Sequence, residues 1–159
     1  MPYLIDGYNL LFQLTPDINP IALKREQIIE ELSELVELLK LKAIIVFDSG
    51  HYQTQDFPSR FKIGKLEVIF SPQNQSADDY IIEYLKSCKK PKTHTLVSND
   101  NYLKRFANEN AIPSLTIPSF VRKILLKKKR VEKKEKKVLL DNDKLEQIFE
   151  KRLKEIDDK

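Results

Sequence analysis

Short apolar runs alternate along the chain with segments in which apolar residues recur at helical spacing. The runs cover residues 3–5, 43–47, 66–70, 94–98 and 115–117. Each is predicted to be a strand, and the continuity of residues 43–47 predicts a strand that is buried on both faces, as in a parallel sheet. Helical spacing or a good N-cap predicts helices over residues 20–40, 76–87 and 100–108, and a further one over 119–126.

This alternation of strands and helices predicts an α/β fold with a mainly parallel central sheet covered by helices on both sides. Two irregular segments are expected within it. Asp6-Gly7-Tyr8-Asn9 is predicted to be a turn in which Gly7 supplies backbone freedom. Residues 49–63, which are polar and have few apolar anchors, are predicted to be a surface loop.

Charge is distributed unevenly and divides the chain into three parts. Residues 1–119 carry a net charge of −2, residues 120–140 hold 10 Lys/Arg and 2 Glu for a net +8, and residues 141–159 carry −2. We expect a folded domain over 1–126, a basic linker or arm over 127–140, which could also be helical, and an amphipathic helix over 141–159.

The remaining composition points to a cytoplasmic protein. Cys88 is the single cysteine, which excludes an internal disulfide and a cysteine-based zinc cluster. The first residues lack the basic region of a signal peptide, and no apolar run approaches the roughly 20 residues that span a bilayer.

Acidic residues follow four of the predicted strands. Asp6 and Asp48 end two apolar runs, Asp78 and Asp79 open a predicted helix, and Asp100 follows Ser98-Asn99. Each acid has an ordinary explanation as a turn residue or a helix N-terminal residue. The carboxyl ends of parallel strands meet at one edge, however, so together the acids predict a cleft that holds Mg²⁺ or Mn²⁺ for phosphoryl transfer.

Several of these segments resemble the YacP-like branch of the NYN domains, within the PIN-like nucleases. The similarity lies in residues 3–11, 46–48, 68–71, 76–81 and 97–100. It includes the opening Asp-Gly-Tyr-Asn and the later Ala-Asp-Asp motif, and it extends from about residue 3 to residue 126.

The resemblance implies a three-layer α/β/α sandwich and a metal-dependent endoribonuclease that uses Mg²⁺ or Mn²⁺. It implies that the substrate is RNA, either mRNA or another single-stranded RNA, and that the ribosome is a partner. Metal-site acids carry over to Asp6, Asp79 and Asp100, with Asp78 as a further catalytic acid. Supporting roles are expected for the residues that flank these acids: Asn9, Asp48, Ser98 and Asn99.

The chain departs from the family pattern at Lys104, where some relatives carry a further acid. This keeps open a non-catalytic RNA- or ribosome-binding module on the same fold. A toxin of a toxin–antitoxin pair also stays open. A phosphatase of the haloacid dehalogenase type is disfavoured, because Tyr8 occupies the place of its second acid.

Basic residues past the predicted domain are the candidate contacts to the RNA backbone. They are Lys127, Lys128, Lys129, Arg130, Lys133 and Lys134. A solvated linker is the simpler explanation of such a run, and the absence of interleaved aromatic residues argues against base stacking there. Attraction of phosphates to this segment would suit an acidic, metal-holding pocket elsewhere in the chain.

Overall fold

A six-stranded sheet forms the centre of the chain in the computed structural model, which describes residues 2–14, 21–49 and 59–157. The strands are β1 (Tyr3–Asp6), β2 (Ala43–Phe47), β3 (Ser59–Ile63), β4 (Leu66–Phe70), β5 (Thr95–Val97) and β6 (Ser114–Leu115). Their spatial order is β3-β4-β2-β1-β5-β6. All neighbouring pairs are parallel except β3–β4, which confirms the mainly parallel sheet.

Five helices accompany the sheet in the described part of the chain. They are α1 (Gly7–Leu14), α2 (Ile21–Leu38), α3 (Ala77–Ser87), α4 (Asn101–Glu109) and α5 (Ile117–Asp157), with a short 3-10 turn at Pro91–Thr93. Ser76 caps α3 and Asp100 caps α4, each accepting a bond from a backbone N–H three residues on. The predicted start of α2 at Pro20 lies outside the described residues.

Helices pack on both faces of the sheet and give the three-layer α/β/α arrangement. On one face, Leu4, Val46 and Ile69 pack with Ile81 of α3 and Leu103 of α4 in one buried cluster. On the other, α1 contacts β1 and β2, and α2 contacts β4. Because side chains alternate along a strand, the fully buried strands supply apolar residues to both layers.

The predicted turn after β1 is wrong, because α1 begins directly at Gly7. Gly7 is needed there for space rather than for backbone freedom. A Cβ on it would lie 2.6 Å from the Phe47 ring and 2.8 Å from the Val46 carbonyl oxygen. The absence of a side chain therefore lets α1 start against β2 without an intervening loop.

The predicted loop over residues 49–63 is wrong in its last part, where Ser59–Ile63 forms β3. This edge strand pairs with β4 through a tight turn in which Gly64 has φ +58°. Phe61 and Ile63 are more than a third exposed, so the strand lacks the continuous apolar run of the buried strands. Residues 50–58, including His51, lie outside the described residues.

The last strand and helix also differ from the sequence prediction. β6 is only two residues long, and Ile117 belongs to α5 instead of the strand. Of the alternatives left open for residues 127–137, the structure has the helix, since α5 is continuous over 41 residues. The predicted division of the chain at residues 126 and 140 stays a prediction.

Two compact units make up the chain, Met1–Lys123 and Ile124–Lys159. The first contains the whole sheet, α1 to α4 and the beginning of α5, where Phe120 packs edge-on against Tyr3 at 5.2 Å between ring centroids. The second is helical, and most of its side chains are exposed. No helix in the described ranges is long and apolar enough to cross a membrane.

Replacing Gly7 should destabilise the protein although alanine favours helices. In Gly7→Ala the new methyl group overlaps the Phe47 ring and the Val46 carbonyl oxygen. We expect a loss of about 1–3 kcal/mol in the free energy of unfolding, measured by denaturant titration. The exposed α2 residue Glu26 offers a control, because Glu26→Ala should change this value by no more than about 0.5 kcal/mol. Equal stability of Gly7→Ala and wild type would contradict the packing argument.

Candidate active site

Three acidic residues from three separate elements meet at the carboxyl edge of the sheet. Asp6 ends β1, Asp78 lies in the first turn of α3 after β4, and Asp100 is the N-cap of α4 after β5. Each carboxylate acts electrostatically on at least one other member of the group. We call these three residues the acid cluster.

Asp6 is the most deeply buried member, with only 4% of its surface exposed. Strand register explains one of its partners: Ile5 pairs with Val97, so the next residues, Asp6 and Ser98, lie side by side. The Ser98 hydroxyl donates to Asp6 Oδ2 at 3.3 Å. The backbone N–H of Asn9 donates to the same carboxyl group, so that Asp6 also acts as the N-cap of α1.

The pKa of Asp6 is raised from its ordinary value of 3.8 to about 7, and burial is the largest cause. The negative charge of Asp78, and to a smaller extent that of Asp100, contributes to this rise. Hydrogen bonds from Asn9 and Ser98 act in the opposite direction, because they favour the ionised form. Near neutral pH and without a cation, Asp6 is therefore divided between its protonated and ionised forms.

Asp78 also has a raised pKa. Burial is the largest cause, and the charge of Asp100 follows. Asp79 and Asp48 add smaller repulsions, whereas a hydrogen bond with Asp6 lowers the pKa of Asp78. The carboxyl groups of Asp6 and Asp78 therefore influence each other's protonation.

Asp79 has a different environment from that of Asp78. Its side chain is exposed, and its backbone N–H donates to the capping Ser76 at 3.1 Å. It lines a groove between α3 and α4. The structure therefore brings Asp6, Asp78 and Asp100 together and places Asp79 next to the cluster.

The four residues expected in supporting roles lie around the acid cluster. Asn9 Oδ1 accepts the Asn99 backbone N–H at 2.8 Å, and Asn99 Oδ1 accepts the Ile117 N–H at 2.9 Å. Ser98 Oγ accepts the Asp100 N–H at 3.0 Å. These bonds connect α1, the β5–α4 connection and the start of α5. Asp48, directly after β2, acts on Asp78 through its charge.

The chemistry of the acid cluster suits a hard divalent cation. Its donors are carboxylate oxygens only, which are the ligands that Mg²⁺ and Mn²⁺ prefer. Among the residues that the structure describes, no three acidic, histidine or cysteine side chains are arranged as a complete metal-binding group. Mg²⁺ in proteins is typically held by one or two carboxylates together with water and substrate phosphates, so the residues present fit such an ion.

The basic residues predicted to contact RNA all lie on α5, in the second unit. Lys129, Arg130, Lys133 and Lys134 are exposed, and Lys127 and Lys128 are half-exposed. The Nζ atom of Lys128 is 3.9 Å from Oε1 of Glu132, which lies one helical turn further along α5. The run of charge is therefore displayed on a helix.

Sequence reasoning did not single out the residues that line the groove beside Asp79. Tyr102 of α4 is 60% exposed, although it lies only two residues after the capping Asp100. Glu83 lies one turn after Asp79 on α3 and lines the same groove. An aromatic residue in the exposed first turn of a helix, beside a candidate catalytic acid, is the signal that could have identified it.

Two solved structures are similar to this chain over most of their length. Both are crystal structures of Rae1 (YacP) from Bacillus subtilis, one of them the W164L mutant. The mutant structure matches with a TM-score of 0.65 and 20% sequence identity, covering 86% of this chain and 82% of that one. The other matches with a TM-score of 0.65 and 21% identity, covering 87% and 81%. At this identity the likeness shows the fold.

The fold is the α/β fold of these YacP structures, and the acid cluster lies at the carboxyl edge of its sheet. The family model for the YacP-like NYN domain matches residues 3–158, and the chain belongs to that family. The match extends through α5, beyond the limit of residue 126 at which the sequence resemblance ended. None of the curated proteins compared with the chain matches it.

The raised pKa of Asp6 predicts a pH-dependent stability when divalent ions are removed by a chelator. Between its ordinary value of 3.8 and about 7, Asp6 holds a proton in the folded state that it loses on unfolding. Stability is therefore greatest at the acidic end of this range and falls as the pH rises through about 7, by a few kcal/mol at most.

Asp6→Asn should remove most of this dependence, because asparagine fills the same space without a charge. We expect the melting temperature of the wild type to fall between pH 5 and pH 8, and that of the variant to fall much less. Asp143→Asn, on the exposed surface of α5, is the matched control and should keep the wild-type profile. If the melting temperatures of the wild type and Asp6→Asn changed with pH in the same way, burial would not raise the pKa of Asp6.

Proposed function

We propose that this protein is a metal-dependent endoribonuclease that hydrolyses RNA phosphodiester bonds at the acid cluster. The observation that carries the proposal is the meeting of Asp6, Asp78 and Asp100, from three elements, at the carboxyl edge of the sheet. Membership of the YacP-like NYN family supports it, because NYN and PIN-like nucleases generally depend on divalent metals and act on RNA.

One or two of the carboxylates of Asp6, Asp78 and Asp100 would hold Mg²⁺ or Mn²⁺, with water and substrate phosphate as the remaining ligands. The family resemblance places Asp79 with Asp6 and Asp100 as metal-site acids and gives Asp78 a further catalytic role. The surroundings of Asp78 and Asp79 favour the reverse, with Asp78 as a metal-site acid. Asp78 shares a hydrogen bond and repulsion with the cluster, whereas Asp79 is exposed in the neighbouring groove. When bound, the ion supplies a lower pKa for an attacking water and stabilises charge that develops on the phosphate.

The chain's own contribution is to hold the acids in a fixed arrangement. Ser98 donates to Asp6, and it also accepts the N–H of Asp100. Asn9 is bound through its side chain to the Asn99 backbone and through its own N–H to Asp6. The carboxylates are thus oriented before substrate arrives, which lowers the cost of reorganisation during the reaction.

Single substitutions at the acids should separate the two assignments. In a cleavage assay on a mixed RNA pool with Mg²⁺ or Mn²⁺, we expect Asp6→Asn, Asp78→Asn and Asp100→Asn each to lower the rate on the order of 100-fold. Asparagine still caps helices, so the fold of Asp100→Asn should persist. Asp79→Asn should lower the rate by less than about tenfold, because Asp79 is exposed and its charge has only a small effect on Asp78.

The assay should be run with and without translating ribosomes, and with Asp143→Asn as a control that keeps full activity. Loss of cleavage in Asp79→Asn but not in Asp78→Asn would restore the assignment made from the resemblance. Bound RNA with no cleavage under any condition would favour the non-catalytic RNA- or ribosome-binding module, to which Lys104 lends weight. Cleavage only with ribosomes present would identify the ribosome as a required partner.

The basic segment of α5 is proposed to bind the RNA backbone. Replacing its six proposed contacts with glutamine should weaken RNA binding and make its dependence on salt less steep. The residues are Lys127, Lys128, Lys129, Arg130, Lys133 and Lys134. Each lost contact to single-stranded RNA should reduce the slope of log K against log salt by about 0.7.

Fluorescence anisotropy of a labelled RNA over a series of salt concentrations measures this slope. Lys144, Lys151 and Lys154 lie further along the same helix, where the net charge is negative, and their replacement with glutamine is the control. An unchanged slope in the six-residue variant would show that the basic segment is a solvated helix without contact to RNA.

A further inference from the structure

A groove of about 600 Å³ lies between α3 and α4, immediately beside the acid cluster. One wall carries Asp79, Glu83 and Lys86, which lie on the same face of α3. The rest of the lining comes from Ile82 of α3, Tyr102 of α4 and, before α3, Pro72, Asn74 and Gln75. We call this space the α3–α4 groove, and its volume is typical of small-molecule sites.

Two residues that line the groove are close in sequence to members of the acid cluster. Asp79 directly follows Asp78, and Tyr102 lies two residues after Asp100. A polymer whose phosphate lies at the acid cluster therefore has a neighbouring unit within reach of the groove. From Asp79 to Lys86 the helix rises about 10 Å, which is enough for one base and part of the adjoining backbone.

The polar lining favours a neutral hydrogen-bond donor over a phosphate. Asp79 and Glu83 place two carboxylates on the wall, and these repel phosphate but accept hydrogen bonds from amino groups. Lys86 is the one cation among the lining residues, at the end away from the cluster, and its Nζ is 5.9 Å from the centroid of the Phe106 ring. A phosphate of the adjoining backbone would suit that end.

The exposed aromatic ring and the rigid loop suit an unstacked base. Tyr102 is 60% exposed, so its ring is free to stack, and Ile82 gives the groove a buried apolar residue. The loop that carries Gln75 is fixed, because the Ser71 hydroxyl donates to the Gln75 carbonyl oxygen at 2.7 Å. Single-stranded RNA is typically read by stacking on aromatic side chains and by hydrogen bonds to base edges.

We propose that the α3–α4 groove binds one unstacked nucleobase that carries an exocyclic amino group, next to the phosphate held at the acid cluster. Glu83 accepts from the amino group, Tyr102 stacks on the ring, and Asn74 and Gln75 contact the remaining edge. Uracil lacks the amino group and is disfavoured. The proposal rests on the proposed function, since it takes RNA as the ligand, and it adds the base preference of the same site.

The test measures binding of short single-stranded RNA to the full-length Asp6→Asn protein, in which cleavage does not interfere. A₅, C₅ and U₅ are compared by fluorescence anisotropy. We expect A₅ and C₅ to bind about tenfold more tightly than U₅. Glu83→Gln should reduce this difference to about threefold or less, because an amide can also donate to uracil. Glu109→Gln, an exposed substitution at the end of α4 and outside the groove, should preserve the difference.

Substitutions of Tyr102 test the stacking separately from the hydrogen bonds. Adding Tyr102→Ala to the Asp6→Asn protein should weaken the binding of all three RNAs about tenfold, whereas adding Tyr102→Phe should leave their affinity unchanged. Amide NMR shifts on adding A₅ should include residues 74, 75, 83 and 102. Equal binding of A₅, C₅ and U₅, or a preference that Glu83→Gln leaves unchanged, would overturn the groove proposal while leaving RNA binding intact. No binding of any RNA, either to the Asp6→Asn protein or to the wild-type protein with Mg²⁺ present, would overturn both the groove proposal and the RNA-directed function.

Discussion

The repulsion between carboxylates gathered around the buried Asp6 is the constraint on which the site depends. Asp6 is almost completely buried, and Asp78 and Asp100 add negative charge beside it. Such an arrangement opposes ionisation, and a proton or a cation relieves it. The acid cluster is therefore favourable only when one of these positive charges is present, which is the property that a metal-dependent hydrolytic site needs.

The fold creates this arrangement through the ends of its elements. The register of β1 and β5 sets Ser98 beside Asp6, and the N-caps of α1 and α4 are themselves members of the cluster. Gly7 allows α1 to begin against β2, so that Asn9 reaches back to the Asp6 carboxyl group. A substitution that moves one of these helix starts should therefore disturb the charge balance as well as the packing.

The parts of the fold that depend on buried apolar runs could be predicted from the sequence. Ala43–Phe47 is a strand as predicted, since burial on both faces leaves a continuous apolar signal, and in Leu66–Phe70, also a strand as predicted, only Glu67 interrupts the apolar residues. Ser59–Ile63 could not be predicted in the same way, because it pairs only at the edge and its side chains are largely exposed. The helical start at Gly7 depends on a long-range contact with Phe47, which no local pattern contains.

The gathering of acidic residues at the site could be predicted from the sequence, but which of Asp78 and Asp79 faces Asp6 could not. Asp6 and Asp100 follow strands, so their meeting at the carboxyl edge follows from a parallel sheet. Asp78 and Asp79 are adjacent in sequence and differ only in the direction that α3 gives each side chain. That direction depends on where Ser76 begins the helix, and it places Asp78 towards Asp6 and Asp79 in the α3–α4 groove.

The most direct test of the account is calorimetric titration of Mn²⁺ into the wild-type protein and Asp6→Asn, in buffers of different ionisation enthalpy that report proton release. Because Asp6 is partly protonated near neutral pH, metal binding to the cluster should release protons at pH 6 and almost none at pH 8.5. We expect this release in the wild type and a large loss of Mn²⁺ affinity in the variant. Equal Mn²⁺ binding by both proteins, or no binding by the wild type, would contradict a metal site at the acid cluster.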